Sequence, residues 1–333
     1  MSSGNQAISR LAWRWAMLVL FALLAGAGLL LSVGQGAASI SAAGVVRLLL
    51  QPEHSAASQI VWNLRLPRAL TGAMVGANLA LSGAILQAVM RNPLADPHII
   101  GISAGAGLTG VLVLVLFPAL TYLIAPAAFL GAMAAAVMIY VLAWKNGIKP
   151  VRIILAGVAV SAFLGAGISG ILIFHSDRVH GALMWMVGGL AAVSWQEVTL
   201  LAPYAAVGLI LSLLGAPYLN MLHLGDDMAR GLGVSVEQVR ILLTAVAALL
   251  AASAVSAAGL LGFVGLIVPH TARLLIGHDY RFLIPASALL GAAIVTLSDT
   301  VARLLFAPVE LPVGLIMAFL GAPFFLFLLR REV

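Results

Sequence analysis

The feature that most constrains this chain is a succession of apolar runs, each of helix length, separated by short polar breaks. They fall at about 14–33, 66–88, 98–117, 124–143, 153–174, 195–214, 241–258, 260–277, 283–304 and 312–329, which makes ten. A helix crossing the bilayer needs ~20 mostly apolar residues. Lipid offers the backbone no hydrogen-bond partners, so runs of this kind fold as helices. Composition agrees: 63% of the 333 residues are hydrophobic and 8% are charged, against roughly 25% charged in a soluble domain. The sequence therefore predicts an all-α polytopic membrane protein of about ten transmembrane helices. It forms one domain over 1–333, with the lipid bilayer as its solvent.

The first run follows Arg10 and Arg14, as the core of a secretion signal would. At 18 residues (16–33) it is longer than a signal core, so it is read as the first span. Residues 34–62 are too polar to cross and are expected to form a helix lying on the surface. The connection 175–195 is expected to hold a short re-entrant or surface helix. WKNGIKPVR (144–152) is a clear break carrying both lysines. Basic residues in short loops prefer the cytoplasm. With the N-terminus inside, twelve Lys or Arg fall inside and five (Arg47, Arg65, Arg68, Arg178 and Arg303) fall outside. The expectation is N-in and C-in.

Several chemistries are excluded. No cysteine is present, which removes disulfides, thiolate catalysis and Cys-bound metals. The basic residues form no stripe, so nucleic acid is not a partner. No GxxxxGK[ST] loop exists, and neither lysine follows a glycine. If ATP is used, another chain binds it. No metal set and no catalytic constellation is apparent.

Five local patterns carry the candidate sites. In RNPLADPHIIGISAGAG (91–107), Pro93 and Pro97 stop helices, while Asn92 and Asp96 are placed to cap helix starts. Arg91, Asn92 and Pro93 thus open a stiff turn at the membrane edge, which serves as structure or as a gate. In GFVGLIVPHTAR (262–273), Gly262, Gly265 and Pro269 break up an apolar stretch, and His270 follows. His270 is either a packed, hydrogen-bonded side chain or a metal or proton site. Asp299 and Arg303 stand one helical turn apart. They form a local ion pair, or Arg303 reaches a partner together with Arg65 and Arg68, whose guanidinium groups suit carboxylates. Gly157, Ser161, Gly165 and Ser169 make a small-residue face, as do Gly72/Gly76 and Gly101/Gly105. Such faces pack helices tightly or line a passage. Finally, LGDDMARGLGVSVEQVR (224–240) places five charges between two spans. Asp226 and Asp227 suit the start of a short helix. Met228, Leu232 and Val236 form a modest apolar stripe, Gly231 and Gly233 permit a sharp turn, and Ser235 is placed to cap a second helix. This is a projecting knob or a solvated loop.

LRLPR, QAVMRNPLADPHIIG, ARGLGVSVEQVR, GFVGLIVPHTAR, HDYRFLIPASALLGA, LSDTVAR and ELPVGLIMAFLGAPFF occur in one order between about 60 and 330. Together they resemble the FecCD-type permeases, the membrane subunits of ABC importers for iron–siderophores, haem and cobalamin. The resemblance implies a type II ABC importer permease fold with ten spans and a second permease subunit. It also implies two cytoplasmic ABC ATPases that bind ATP and Mg, an extracytoplasmic substrate-binding protein, and a place in the bacterial cytoplasmic membrane. It assigns Gly225, Asp226, Asp227, Arg230, Gly231, Leu232, Gly233 and Val234 to cytoplasmic coupling helices over 224–240. Arg65, Arg68 and Arg303 match arginines that face the binding protein. This chain is then no enzyme and binds no cofactor. A ferric siderophore is the expected cargo because it is the family's commonest. Haem, which His175 and His180 would suit, and cobalamin stay open. An ion-coupled transporter would need mid-span carboxylates, and only Asp299 comes close.

Overall fold

The computed structural model describes residues 3–36, 39–51, 53–145, 150–191 and 193–332. Lys149 and the middle of the 144–152 break lie outside the described residues. Every regular element among them is helical: α1 (Ser3–Gly34), α2 (Ala42–Leu50), α3 (Ala56–Ile60), α4 (Leu66–Met90), α5 (Pro97–Ile100), α6 (Ile102–Leu116), α7 (Ile124–Ala143) and α8 (Pro150–Phe174). Then follow α9 (Val179–Val187), α10 (Trp195–His223), α11 (Asp226–Gly231), α12 (Val236–Ala258), α13 (Val264–Ile276), α14 (Tyr280–Leu304) and α15 (Val313–Glu332).

Seven helical stretches are long and apolar enough to cross a membrane. Three shorter apolar helices, Ile102–Leu116, Val264–Ile276 and Val313–Leu328, take the remaining places at which the sequence predicts spans. Two of those spans are interrupted. Gly101 at φ 101° separates α5 from α6, so 98–117 is not one helix. The run 260–277 is helical only from Val264, because the chain turns first at Gly259 and at Phe263, both with positive φ. Conversely, α3 continues into α4 through a π-helical turn over Val61–Arg65, so the surface segment expected at 34–62 ends inside a 35-residue stretch, Ala56–Met90. The short helix expected within 175–195 is α9.

The helix α4 is the axis of the bundle and packs against α10, α12, α13 and α14. Its most apolar window is 78% buried, against 22% for α8. Apolar burial does not drive helices together in lipid, so close backbone approach and polar ties do that work. A Cβ on Gly76 would fall on the Gly291 carbonyl of α14, and one on Gly83 would fall on the Gly265 carbonyl of α13. Asn78 Nδ2 donates to Ser253 Oγ at 3.1 Å, and Ser82 Oγ donates to the Ala247 carbonyl at 2.7 Å. Gln87 bridges the Gly265 carbonyl (3.0 Å) and Arg273 (2.9 Å). The Gly101/Gly105 face is likewise filled, by Gly157 and Ser161 of α8 and by Gly131 of α7. The second half of the α8 stripe differs: Gly165 has open space around it and Ser169 is exposed.

Candidate functional site

Charged side chains gather at the two ends of the bundle. At the outer end, Asp299 of α14 is buried and accepts both ends of the Arg68 fork, at 2.9 Å each. Arg68 also donates to Glu310 at 2.7 Å. Arg303, one turn on, lies 3.3 Å from Asp299. Its remaining donors go to Ser32 Oγ (3.1 Å) and to the carbonyls of Ser32 (2.9 Å) and Gln35 (3.2 Å). Arg65 donates to the Val33 and Gly34 carbonyls, at 3.0 Å each. The last carbonyls of a helix have no intrahelical partner and carry its negative end. Two arginines therefore cap the C-terminus of α1.

None of the three arginines expected to face outward projects freely. Arg65 and Arg303 are 7% exposed each and point into the bundle, and Arg68 is held between two carboxylates. Beside Arg68 opens a cleft of about 1090 Å³ lined by Tyr122, Trp185, Glu197, Glu310 and Pro312 among others. Trp62 and Trp195 stack nearby, with centroids 6.4 Å apart, and Trp195 Nε1 donates to the Trp62 carbonyl at 2.8 Å.

At the inner end, Asp226 opens α11 and accepts two bonds from Arg240 of α12, at 2.8 and 3.0 Å. Its carboxylate also pairs with Arg91, the left-handed C-cap of α4, and Arg91 Nε donates to the Leu222 carbonyl at 3.3 Å. After Arg91, Asn92 Oδ1 accepts from Leu94 N at 2.9 Å. Asn92 thus closes a turn rather than capping a helix. Asp96 does cap α5, accepting from His98 N at 2.8 Å. Pro93 is half-buried within that turn.

Within the insert, Asp227 and Arg230 are exposed and form an i,i+3 pair at 3.5 Å. Gly225 (φ 114°) and Gly233 (φ 83°) carry the sharp turns, and Gly231 does not. Ser235 makes no capping bond to the backbone; its hydroxyl donates to Gln238 Oε1 at 3.0 Å. The apolar stripe splits: Met228 and Leu232 are 60% and 63% exposed, while Val234 and Val236 are buried. Pro269 and His270 lie on α13, buried, with the imidazole edge-on to Phe324 at 5.7 Å. Nearby, His223 and His278 stack at 5.6 Å. Burial first, then Arg273 and His223, pushes the His278 imidazole below its ordinary value.

The pairing of Arg240 has a signal in the sequence. It shares a helical face with Val236, Leu243 and Ala247, all buried, and an arginine on such a face must be paired. Among the described residues, no group of three or more His, Asp or Glu could hold a metal ion.

Span-length helices around a polar-tied axis, with a wide cleft at one end and a charged insert at the other, are those of a polytopic membrane protein with an open path into the bundle. Known proteins place it more narrowly. The Fe(3+)-citrate import system permease protein YfmD of Bacillus subtilis (strain 168) is 40% identical over 330 residues, covering 99% of this chain and 98% of that protein. The cobalamin import system permease protein BtuC of Halobacterium salinarum is 46% identical over 279 residues, 83% of this chain and 75% of that protein. The hemin transport system permease protein HmuU of Yersinia pestis is 40% identical over 325 residues, 95% and 94% respectively. A solved inward-facing structure, of what is described as a metal-chelate type ABC transporter, superposes with a TM-score of 0.85. It is 30% identical and covers 95% of this chain and 99% of that one. The FecCD transport family matches residues 15–331, and the chain belongs to it. It is an ABC importer permease, a class of subunit whose ATPase is a separate chain.

Proposed function

We propose that this chain carries a ferric siderophore across the cytoplasmic membrane of a bacterium. It acts as one of two permease subunits above two ATPases, which bind the ATP and Mg, and a binding protein outside delivers the cargo. The observation that carries the cargo is the 40% identity over 99% of the chain to a permease named for Fe(3+)-citrate. Two permeases named for iron(3+)-hydroxamate, 40% and 41% identical, support it. Ferric citrate and ferric hydroxamates are both iron held by oxygen chelators, so the shared class is the chelate. The similarity to cobalamin and hemin permeases supports a second reading in which the cargo is a tetrapyrrole.

Physical features support the assembly. The outer cleft is wide and mixes apolar with polar lining, which suits bulky amphipathic cargo held by weak contacts. The open second half of the α8 stripe leaves a surface for a second permease subunit. Bacillus subtilis has two permeases named for Fe(3+)-citrate, YfmD and YfmE, each about as similar to this chain, which favours a heterodimer. Segment 225–234 is read as the part an ATPase grips, because it projects charged and apolar side chains at the inner end. Arg65 and Arg303 shape the outer mouth for the binding protein by fixing the end of α1, and Arg68 does so by holding Asp299 and Glu310.

Uptake decides the cargo. Cells lacking their own iron-chelate, haem and cobalamin importers receive the whole transporter and are offered radiolabelled ferric citrate, a ferric hydroxamate, haem and cobalamin. Accumulation of a ferric chelate is expected. Accumulation of haem or cobalamin alone overturns the siderophore reading.

A further inference from the structure

The insert is fastened to the bundle by its backbone and by one side chain. Its backbone leaves α10 through Gly225 and approaches α12 through Gly233, both at the positive φ that glycine adopts readily. The Gly233 and Val234 amides donate to the Arg230 and Ala229 carbonyls, at 2.9 and 3.0 Å. The side-chain tie reaches further across the bundle. The Asp226 carboxylate takes two bonds from Arg240 and one contact from Arg91. Arg91 also holds the Leu222 carbonyl. One carboxylate thereby ties α11 to α12, to the end of α4 and to the end of α10.

Beyond Arg91 the connection stays rigid. The Arg91 and Asn92 amides donate back to the Ala88 and Gln87 carbonyls, at 3.1 Å each. Asn92 and Asp96 close the 91–97 turn onto α5. Asp96 and Pro97 sit where Gly265 of α13 leaves room, so a Cβ there would meet both. Charge-assisted bonds from a planar guanidinium fork resist rotation as well as stretching. The Arg240 side chain is 4% exposed and that of Asp226 is 28% exposed, so water and salt screen that pair little; Arg91, 38% exposed, is the more open side of the joint.

Resting on the reading of 224–240 as the segment an ATPase grips, we infer that Asp226, held between Arg91 and Arg240, is a positioning residue. It transmits displacement of the insert to the end of α4 and the 91–97 turn, to which the backbone of the insert does not itself connect. The joint moves as a unit, so a covalent bridge across it preserves transport.

The test uses the complete transporter in vesicles, with its partner permease, ATPases and binding protein. Both ATP hydrolysis and uptake of the cargo that the wild type accepts are read. A wild type with no ATP-dependent uptake overturns the importer reading itself, and it is measured first. Arg91→Gln leaves the Asp226–Arg240 pair in place. It is expected to lower uptake per ATP by about tenfold while hydrolysis continues. A ratio unchanged from the wild type overturns the inference. If that variant does not assemble, Arg91→Lys, which keeps the charge and loses the fork, is judged by the same ratio. This chain contains no cysteine, so Arg91→Cys with Asp226→Cys can be joined by a short bifunctional methanethiosulfonate in a transporter whose other subunits are cysteine-free. The unjoined pair should transport poorly, and joining should restore uptake per ATP. Hydrolysis without recovery after joining overturns the inference, because it means that the two positions must separate.

Discussion

At the scale of single residues, what separates Arg68 from its two neighbouring arginines is where each finds acceptors. Arg65 and Arg303 satisfy carbonyls that α1 leaves open at its end, work that backbone oxygens demand of any buried helix terminus. Arg68 neutralises Asp299, a carboxylate with 2% of its side chain exposed. The sequence displayed the i,i+4 spacing of Asp299 and Arg303, and that pair exists at 3.3 Å. The stronger bidentate partner stands 231 residues away in the chain, and no local pattern announces it. The signal was the cost of a buried carboxylate within a span, which calls for more than one monodentate contact. Removing the Arg68 cation is expensive. Arg68→Ala should lower stability by about 1–3 kcal/mol, because it removes both hydrogen bonds to a buried carboxylate and leaves it only the Arg303 contact at 3.3 Å. Unfolding of the purified chain in detergent micelles measures this, with Arg47→Ala as the control. Arg47 is 71% exposed and pairs with Glu53 at the surface, so its loss should change little.

At the scale of elements, the apolar runs were legible because lipid leaves the backbone no alternative to helix. Their interruptions were legible only in part, as at Gly262, and not by hydropathy. In 98–117 and 260–277 the residues that end helices, Gly101 and the Gly259–Phe263 stretch, are themselves apolar or neutral, so hydropathy runs straight through them. What the glycines do was legible only in part. The 157–169 stripe reads as uniform, yet Gly157 and Ser161 meet Gly101 while Gly165 meets nothing. Spacing reveals a face of small residues, and only packing reveals which part of it is occupied. That difference makes a paired prediction. Gly83→Leu pushes a side chain into the Gly265 carbonyl at the contact of α4 with α13. Overpacking of this kind costs about 1–3 kcal/mol or more, and the variant should melt lower or fail to accumulate in the membrane. Gly165→Ala should melt with the wild type, since the added methyl has open space. Thermal melts followed by retention on size exclusion separate the two outcomes.

At the scale of the whole molecule, the charges divide into an outer set that holds helix ends together and an inner set that leaves side chains facing outward. Order along the chain could reveal that 224–240 is an insert between spans. It could not reveal which side chains of the insert are structural, because Asp226 and Asp227 are adjacent and identical. In the fold, Asp226 turns inward to Arg91 and Arg240 while Asp227 is exposed. Met228 and Leu232 likewise turn outward, 60% and 63% exposed, one helical turn apart on a segment beyond the apolar bundle. Side chains facing lipid would need no charged neighbours, and side chains facing only water would gain nothing from being apolar. An apolar pair rimmed by Asp227 and Arg230 has the make-up of a small protein-docking surface, with a hydrophobic centre and a polar edge. Each such side chain contributes about 1.5–3 kcal/mol when buried by a partner. Met228→Asp with Leu232→Asp should therefore weaken association with the ATPase subunit by about 100-fold or more. The melting temperature of the isolated permease should stay unchanged, because neither side chain touches its core. Co-purification with the ATPase at graded concentrations gives the first quantity and a thermal melt gives the second. Retained affinity at an unchanged melt would mean that the ATPase grips the bundle elsewhere.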